Sequence, residues 1–241
     1  MRALILAAGR GSRLGPYTDD RPKCLVEVGG RSLLDRHLDT LAEMGVTETG
    51  IVTGYRAADL AGRGPVTFHA PRWSETNMVV SLTAASAWLR AAPTLVLYGD
   101  VFATTETVAA LAAAPGDLAI TYDPHWLDLW SRRFAAPLDD AETFRLRADG
   151  TLAEIGRRAA STDEIQGQYM GLLRFTPAVW GRVEEVLGGL APQARDALDM
   201  TALLRALIAS GELIRTVPRI GPWGEVDSPD DVALYDAQRR A

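Results

Sequence analysis

A short loop near the start of the chain concentrates residues that could bind an anion. The segment LAAGRGSRLGP, residues 6–16, follows an apolar run and contains three glycines. Glycine lets the backbone bend and approach a ligand closely, and successive N–H groups can hold phosphate oxygens. Arg10, Arg13, Arg21 and Lys23 lie in or just after this loop. Cations crowded into one loop of an acidic chain indicate an anion-binding site.

Lys23 is the only lysine, although lysine and arginine together number 25. The two residues exchange easily on a solvated surface, but not where a compact point charge must fit a tight pocket. The lone lysine therefore favours a functional position, with chance survival as the alternative. A dinucleotide-binding G-x-G-x-x-G/A pattern fails at Leu14, and the Gly-Lys-Ser/Thr of a Walker loop is absent. A plain glycine turn remains the other interpretation of the loop.

Acidic residues at two later positions could complete such a site. Asp100 follows the buried run LVLYG, and an acid there can hold a divalent cation beside phosphate oxygens. A helix cap or turn residue is the alternative for Asp100. Near the C-terminus, the sequence SPDD predicts a helix start with Pro229 at its first position. Asp230 and Asp231 are best explained as capping residues that complement the helix dipole.

The first half of the chain predicts a scaffold for these residues. Apolar runs alternate with segments of helical periodicity over residues 1–123, which indicates an α/β fold with a parallel sheet. Predicted strands are RALILAAG, TGIVTGY, VTFHA, PTLVLYGD and DLAITYD, and predicted helices are SLLDRHLDTLAEMG, NMVVSLTAASAWLR and TTETVAALAAA. Gly9, Gly54 and Asp100 lie just past strand ends, where ligands bind in such sheets.

The pattern changes after Asp123. Residues 126–156 have hairpin-like character, with a tight-turn signal at Asp149-Gly150. GQYMGLLRFT predicts a further strand, MTALLRALIASG a helix, and SPDDVALYDAQRR a capped terminal helix. We expect one domain over residues 1–241, in two parts that divide after residue 123.

Composition narrows the class of protein. The chain has 241 residues, 47% of them apolar, and a formal net charge of −6, which argues against a general nucleic-acid or membrane-surface binder. The lone Cys24 cannot form an internal disulfide, and no signal segment or membrane span is evident. We therefore predict a cytoplasmic protein with no nucleic-acid or membrane partner. His37, His69 and His125 lack metal-ligand spacing.

The segment LILAAGRGSRLGPYTDDRPKCLVEV resembles the signature of the sugar-phosphate nucleotidylyltransferase family. The resemblance implies a Rossmann-like three-layer fold, with a mixed, mostly parallel sheet and a small acceptor-binding insertion. It also implies that the loop wraps the nucleotide, and that Lys23 and Arg13 hold the triphosphate. In that family an aspartate after the fourth strand and one in a late E-x-D element bind Mg²⁺. Asp100 and Asp227 match these two places, and Glu225 fits the same element as a supporting residue.

Residues 73–82, WSETNMVVSL, resemble the cytidylyltransferase branch of the family, as does IVTGY. The branch places Asn77 and Ser81 near the base, which implies CTP; a capped helix with no other role is the alternative. The predicted nucleotide-binding residues are Leu6, Ala7, Ala8, Gly9, Arg10, Gly11, Ser12, Arg13, Lys23, Gly54, Tyr55, Asn77, Ser81 and Gly99.

The resemblance implies that residues 1–123 bind the nucleotide, and that residues 124–241 bind the acceptor and complete the metal site. Arg132 and Arg133 follow two tryptophans and could clamp a phosphate or phosphonate, or be solvated arginines on a helix. Members of the family also place a basic residue after the later hairpin, and Arg157 or Arg158 could be that residue here. Glu142 and Gln168 lie in segments expected to border this site.

The predicted reaction is transfer of CMP from CTP to a small phosphate- or phosphonate-bearing acceptor, with Mg²⁺ at Asp100 and Asp227. Alternatives are a hexose-1-phosphate nucleotidylyltransferase that uses UTP or dTTP, and a catalytically inactive nucleotide-binding regulatory module. The apolar insertion after Asp123 could also provide the contact surface of a homodimer.

Overall fold

A computed structural model describes residues 1–64 and 66–238 and builds them around a central sheet. The strands are β1 Arg2–Ala7, β2 Glu27–Val28, β3 Arg31–Ser32, β4 Glu48–Thr53, β5 Val66–His69, β6 Thr94–Tyr98, β7 Val101–Ala103, β8 Leu118–Asp123, β9 Glu142–Leu146, β10 Leu152–Arg158, β11 Gln168–Phe175, β12 Ile214–Pro218 and β13 Trp223–Glu225. Seven of them form the main sheet in the order β12-β8-β11-β6-β1-β4-β5. Its pairings are parallel except those that β11 makes with β6 and β8.

Helices cover the sheet in two groups. They are α1 Leu33–Glu43, α2 Met78–Leu82, α3 Ser86–Ala91, α4 Thr105–Ala113, α5 Trp126–Arg133, α6 Pro177–Gly189, α7 Pro192–Asp196, α8 Met200–Ala209 and α9 Pro229–Gln238. Helices α1 and α4 contact each other, while α3, α6 and α8 form a second packed group. This is the Rossmann-like, mostly parallel α/β architecture that the sequence predicts.

The sheet core explains why the strands form where they do. Continuous apolar runs bury both faces of the central strands, so that Leu4 and Ile5 of β1 and Leu95, Val96 and Leu97 of β6 have no exposed surface. Strands β1 and β6 are neighbours in this sheet. Their carboxyl ends therefore lie side by side, and the glycine-rich loop and Asp100 emerge from the same edge.

Two segments differ from the predicted elements. The helix predicted from Asn77 to Arg90 is divided into α2 and α3 by a 3₁₀ turn at Thr83–Ala85. Residues 126–133, included in a hairpin-like region, form α5, because Trp126, Leu129 and Trp130 bury one helical face. The predicted hairpin itself is confirmed as β9 and β10, with Gly150 at a positive φ of 78° in the turn.

None of the helices within residues 1–64 and 66–238 combines the length and the hydropathy that crossing a bilayer requires.

Candidate active site

A small strand pair brings together two acids that are far apart in the sequence. Asp100 lies between β6 and β7, and β7 pairs antiparallel with β13. The N–H of Val226 donates to the carbonyl of Asp100 at 2.9 Å. As a result Asp100, Glu225 and Asp227 each offer a carboxylate oxygen, and these three oxygens lie within 4.8 Å of one another.

The carboxylate cluster has the chemistry of a divalent-cation site. Hard cations such as Mg²⁺ prefer oxygen ligands. The Oδ1 atom of Asp100 is buried and has no hydrogen-bond partner, so one ligand position is left for an ion. Burial and the charge of Asp227 raise the pKa of Glu225 to about 8, although Arg133 opposes this. Carboxylates that repel one another in this way are stabilised by a shared cation.

Lys23 and Arg13 reach the same cluster from the opening loop. The Nζ atom of Lys23 donates to Oδ2 of Asp100 at 2.7 Å and also to Oδ1 of Asp227. A guanidinium nitrogen of Arg13 lies 2.9 Å from Oδ1 of Asp227. Burial lowers the pKa of Lys23, but Asp100 and Asp227 outweigh it and raise that pKa above its usual value. Lys23 is therefore a permanently charged group next to the acids.

Glycines let the loop fold closely around Lys23. Gly11 has a φ of 71°, and a Cβ atom there would lie 2.7 Å from Cδ of Lys23. A Cβ on Gly99 would lie 2.6 Å from the backbone oxygen of Leu6. Both positions need glycine because the loop, Lys23 and the end of β6 pack against one another.

Two adjoining cavities lie on the loop side of Asp100. The first is lined by Leu6, Ala8, Gly9, Trp73, Thr76, Asn77, Met78, Ser81, Tyr98 and Asp100. The second is lined by Leu6, Ala7, Gly9, Gly11, Lys23, Cys24, Gly99 and Asp100. Most of the predicted nucleotide-binding residues therefore surround one continuous depression. Trp73 and Tyr98 were missed by sequence reasoning, although each aromatic residue adjoins a predicted motif.

Five of the fourteen predicted nucleotide-binding residues lie outside these two cavity walls. One of them, Arg13, lines a third cavity, which is described below. Arg10 pairs with Asp19 at 3.0 Å and lies over the ring of Tyr55, whose hydroxyl donates to the carbonyl of Thr18 at 2.9 Å. Gly54 lies under the loop, where a Cβ would be 2.6 Å from the oxygen of Ala8. These residues support the loop from outside. Ser12 is exposed at the start of a 3₁₀ turn.

Asn77 and Ser81 both line the first cavity, but only the side chain of Asn77 also caps helix α2. The side chain of Asn77 caps α2 by accepting from the N–H of Met78 at 2.7 Å, and its amide faces the carbonyl of Ala197 at 3.4 Å. Ser81 is buried and lines the cavity. The capping role predicted as the alternative for Asn77 is therefore present together with its place in the cavity wall.

A third cavity lies on the other side of the carboxylates. Its lining is Arg13, Tyr98, Val101, Trp130, Asp140, Glu142, Gln168, Tyr169, Met170, Gly171, Trp223, Glu225 and Asp227. Glu142 and Gln168 thus lie where the acceptor site was expected, and Gln168 donates to the carbonyl of Glu142 at 3.1 Å. Burial, with the charge of Asp199 next, raises the pKa of Glu142. Asp140, Tyr169 and Trp223 were missed because they come from separate segments.

The predicted basic acceptor residues are not in this cavity wall. Arg132 is exposed and lines a different cavity, beside Asp128 and Arg219. The side chain of Arg157 is 72% exposed, and it lies 3.9 Å from Glu154. Arg133 has no exposed side-chain surface and is paired with acids, so its guanidinium does not face an acceptor. The expected clamp of adjacent arginines fails because neighbouring helical residues point in different directions.

Comparison with known proteins identifies the family. The model of the MobA-like NTP transferase domain matches residues 3–161. The chain belongs to this family. A CTP:phosphoglutamine cytidylyltransferase from Campylobacter jejuni is 33% identical over 253 residues, which cover 97% of this chain and 98% of that protein. The family assignment and this relative make the protein a nucleotidyltransferase.

Two further comparisons, one with a relative in sequence and one with a solved structure, are informative. A CMP-5'-(3-aminopropyl)phosphonate synthase from Streptomyces rubellomurinus is 38% identical over 258 residues, covering 98% of this chain and 38% of that protein. The inositol-1-phosphate CTP transferase from T. maritima superposes with a TM-score of 0.78 over 99% of this chain and 96% of that chain, at 16% identity. The structural match supports the nucleotidyltransferase fold.

Proposed function

We propose that this nucleotidyltransferase transfers CMP from CTP to a small acceptor that carries a phosphate or phosphonate, with Mg²⁺ and with release of pyrophosphate. The observation that carries the proposal is the position of the carboxylate cluster between the two loop-side cavities and the third cavity. A donor and an acceptor bound on either side would meet at Asp100 and Asp227. The first reported relative, similar over nearly its whole length, uses CTP by its name.

The division of the chain is part of the proposal. Residues 1–123 would bind the nucleotide, with the base in the cavity bounded by Trp73, Asn77 and Ser81. Residues 124–241 would bind the acceptor and supply Asp227. A cytoplasmic location and a homodimer remain predictions from the sequence.

The reaction is an in-line displacement at the α-phosphorus. An acceptor oxygen forms a bond to that phosphorus, the bond to the bridging oxygen of pyrophosphate breaks, and pyrophosphate leaves with the electron pair. The attacking oxygen is already anionic, so no side chain is needed as a base and no covalent enzyme intermediate arises. A magnesium ion held by Asp100 and Asp227, with Glu225 beside them, would supply Lewis-acid stabilisation of the phosphate charge.

Lys23 and Arg13 would neutralise the triphosphate as the negative charge moves to the leaving pyrophosphate. Lys23 bonds both Asp100 and Asp227, so a contact with a phosphate of CTP would replace one of these carboxylate contacts. Its flexible stem and compact ammonium suit that exchange.

The test is a screen for pyrophosphate release. CTP, UTP and dTTP are each combined with phosphocholine, 2-aminoethylphosphonate, a phosphorylated amino acid and hexose 1-phosphates. Release with CTP and a non-sugar acceptor is expected, and Asp100→Asn is the matched control that should abolish it. Release only with UTP or dTTP and a hexose 1-phosphate would replace the proposal with the alternative enzyme. CTP binding without release for any acceptor would favour the inactive regulatory module.

A further inference from the structure

Arg133 lies beneath the carboxylate cluster in a fully enclosed position. It is the last residue of α5, and its side chain has no exposed surface. Its Nε donates to Oδ1 of Asp231 at 2.8 Å, and one terminal nitrogen donates to Oε2 of Glu225 at 2.9 Å. The other terminal nitrogen lies 3.7 Å from Oδ2 of Asp227. One guanidinium thus contacts two of the three carboxylates that could hold an ion.

Aromatic rings close the remaining sides of the guanidinium. Its central carbon lies 5.1 Å from the ring centroid of Trp130 and 5.1 Å from that of Phe134. Both distances are within the range of a cation–π interaction. The planar fork of Arg133 is therefore fixed in orientation, and Trp130 extends from it into the wall of the acceptor cavity.

Asp231 connects the same arginine to the backbone that carries Asp227. Its Oδ2 accepts from the N–H of Asp227 at 2.9 Å and from the N–H of Ser228 at 3.0 Å. Asp231 therefore bonds both the guanidinium of Arg133 and the turn that leads into α9. The backbone of this turn then fixes the direction of the Asp227 carboxylate.

We propose that Arg133 is a positioning residue that aligns Glu225 and Asp227 for the metal ion. The inference rests on the proposed function in one respect, that the ion binds at Asp100, Glu225 and Asp227. Arg133 contacts Glu225 and Asp227 through its two terminal nitrogens. Its Nε donates to Asp231, which is not an ion ligand but bonds the backbone at Asp227. The metal site and the wall of the acceptor cavity share this one side chain, so helix α5 connects them.

Removal of Arg133 should change the affinity for the cation in opposite directions, depending on whether Arg133 positions the ligands or acts only as a nearby positive charge. If Arg133 acted only as a positive charge near the ligands, its removal would tighten cation binding, because a repulsive charge is lost. If it positions the carboxylates, removal weakens binding despite the lost repulsion. Residues that orient metal ligands typically change metal affinity by about 10- to 100-fold.

The experiment measures Mn²⁺ binding to the protein without substrates, by the loss of the free-ion electron paramagnetic resonance signal. Arg133→Lys keeps the charge but not the fork and should weaken binding about 10-fold, while Arg133→Met should weaken it by up to about 100-fold. Asp231→Asn, which alters no ion ligand, should also weaken it, and this isosteric variant serves if loss of Arg133 prevents folding. Arg90→Met, which removes an exposed arginine paired with Glu184, is the matched control.

Activity gives a second and independent measure. With the screen's best acceptor, Arg133→Lys should raise the Mg²⁺ concentration at half-maximal rate, and rate should recover at high Mg²⁺. A merely structural role would reduce the folded fraction and leave the half-saturating concentration unchanged. Unchanged or tighter Mn²⁺ binding in Arg133→Lys and Asp231→Asn would overturn the inference while leaving CMP transfer intact. Wild-type protein that binds no Mn²⁺ would overturn both the metal assignment and the inference, whereas absence of pyrophosphate release alone would count against the proposed function only.

Discussion

The opening loop, residues 6–25, and the acceptor cavity position their functional groups by different means. In the loop, consecutive residues of one segment act together, and glycine backbones bring them close to Lys23. In the acceptor cavity, the walls come from α5, β9, β11 and β13, and each side chain depends on several elements. The nucleotide side is therefore specified locally, whereas the acceptor side is specified by tertiary packing. We therefore expect single substitutions in the loop to reduce activity strongly, and single substitutions in the acceptor cavity to have smaller and more selective effects.

The largest expected effect is in the loop. Lys23→Ala should reduce the rate of pyrophosphate release by about 10²- to 10³-fold, because one pre-positioned cation that stabilises the leaving group is lost. Lys23→Arg should also be impaired, since Gly11 packs against the lysine stem and leaves no room for a planar fork. Rates are measured at saturating CTP and acceptor.

Arg21→Ala is the matched control for this loop prediction, because Arg21 is an exposed cation only two residues away and pairs with Asp20. It should keep its activity. Full activity of either Lys23 variant would remove the proposed role of the lone lysine.

A backbone substitution should test how tightly the loop side is built. Gly99→Ala should lower the free energy of unfolding by about 1–3 kcal/mol, because the new Cβ would lie 2.6 Å from the Leu6 backbone oxygen. Gly188→Ala is the control, since nothing lies within 4 Å of a Cβ in that position of α6. Chemical denaturation measures both. Equal stability of the two variants would mean that the loop side tolerates more rearrangement than local specification implies.

Much of the fold was predictable because apolar periodicity reports burial directly. Six of the seven strands of the main sheet and α1 follow from such patterns, whereas the edge strand β12 was not predicted. Gly45 ends α1 with a φ of 70°, as its position indicates. Helix α6 was not predicted, although Thr176 caps it, Pro177 begins it, and Val179, Trp180, Val183 and Leu187 form its buried face. The break between α2 and α3 had no clear signal, because its residues are as compatible with a continuous helix as with a 3₁₀ turn.

The candidate site divides in the same way. Lys23 and Asp100 could be predicted from the residues around them, the first in a cation-rich loop and the second after a buried strand, whereas Asp227 was predicted from the family resemblance. Arg133 was predicted to bind the acceptor, but it is buried behind the carboxylates. A signal was present, since Trp126, Leu129, Trp130 and Arg133 share one helical face, whereas Arg132 lies on another. Its acidic partners lie about a hundred residues away, and only the fold brings them together.

On the acceptor side, a single substitution should have a smaller and more selective effect. Glu142→Gln should raise the KM for an acceptor that also carries an ammonium group, such as 2-aminoethylphosphonate, about 10-fold, because the carboxylate that could pair with that cation becomes neutral. The KM for CTP should not change, since the nucleotide cavities do not include Glu142. Glu154→Gln, on the adjacent strand and outside the cavity wall, is the control. Equal changes in both KM values would contradict the separation of the two sides.

The smallest effect concerns His37, which bonds the last residue of strand β6, next to the turn that carries Asp100. Its Nε2 bonds the carbonyl of Tyr98 at 2.8 Å, and because a carbonyl only accepts, this nitrogen carries the proton. Burial lowers the pKa of His37 below its usual value, so the unfolded chain takes up a proton more readily than the folded protein.

The contribution of His37 to stability is therefore complete above the unfolded pKa of about 6.5 and declines as the pH falls below it, by up to about 1.4 kcal/mol per pH unit. Denaturation at pH 7.5 and at pH 5.5, as chosen test conditions (roughly one unit either side of the unfolded pKa), should show a smaller loss of stability for His37→Gln than for the wild type. His69→Gln, which changes an exposed histidine, should keep the wild-type loss. An identical loss in all three proteins would mean that protonation of His37 does not act on the strand end from which Asp100 emerges.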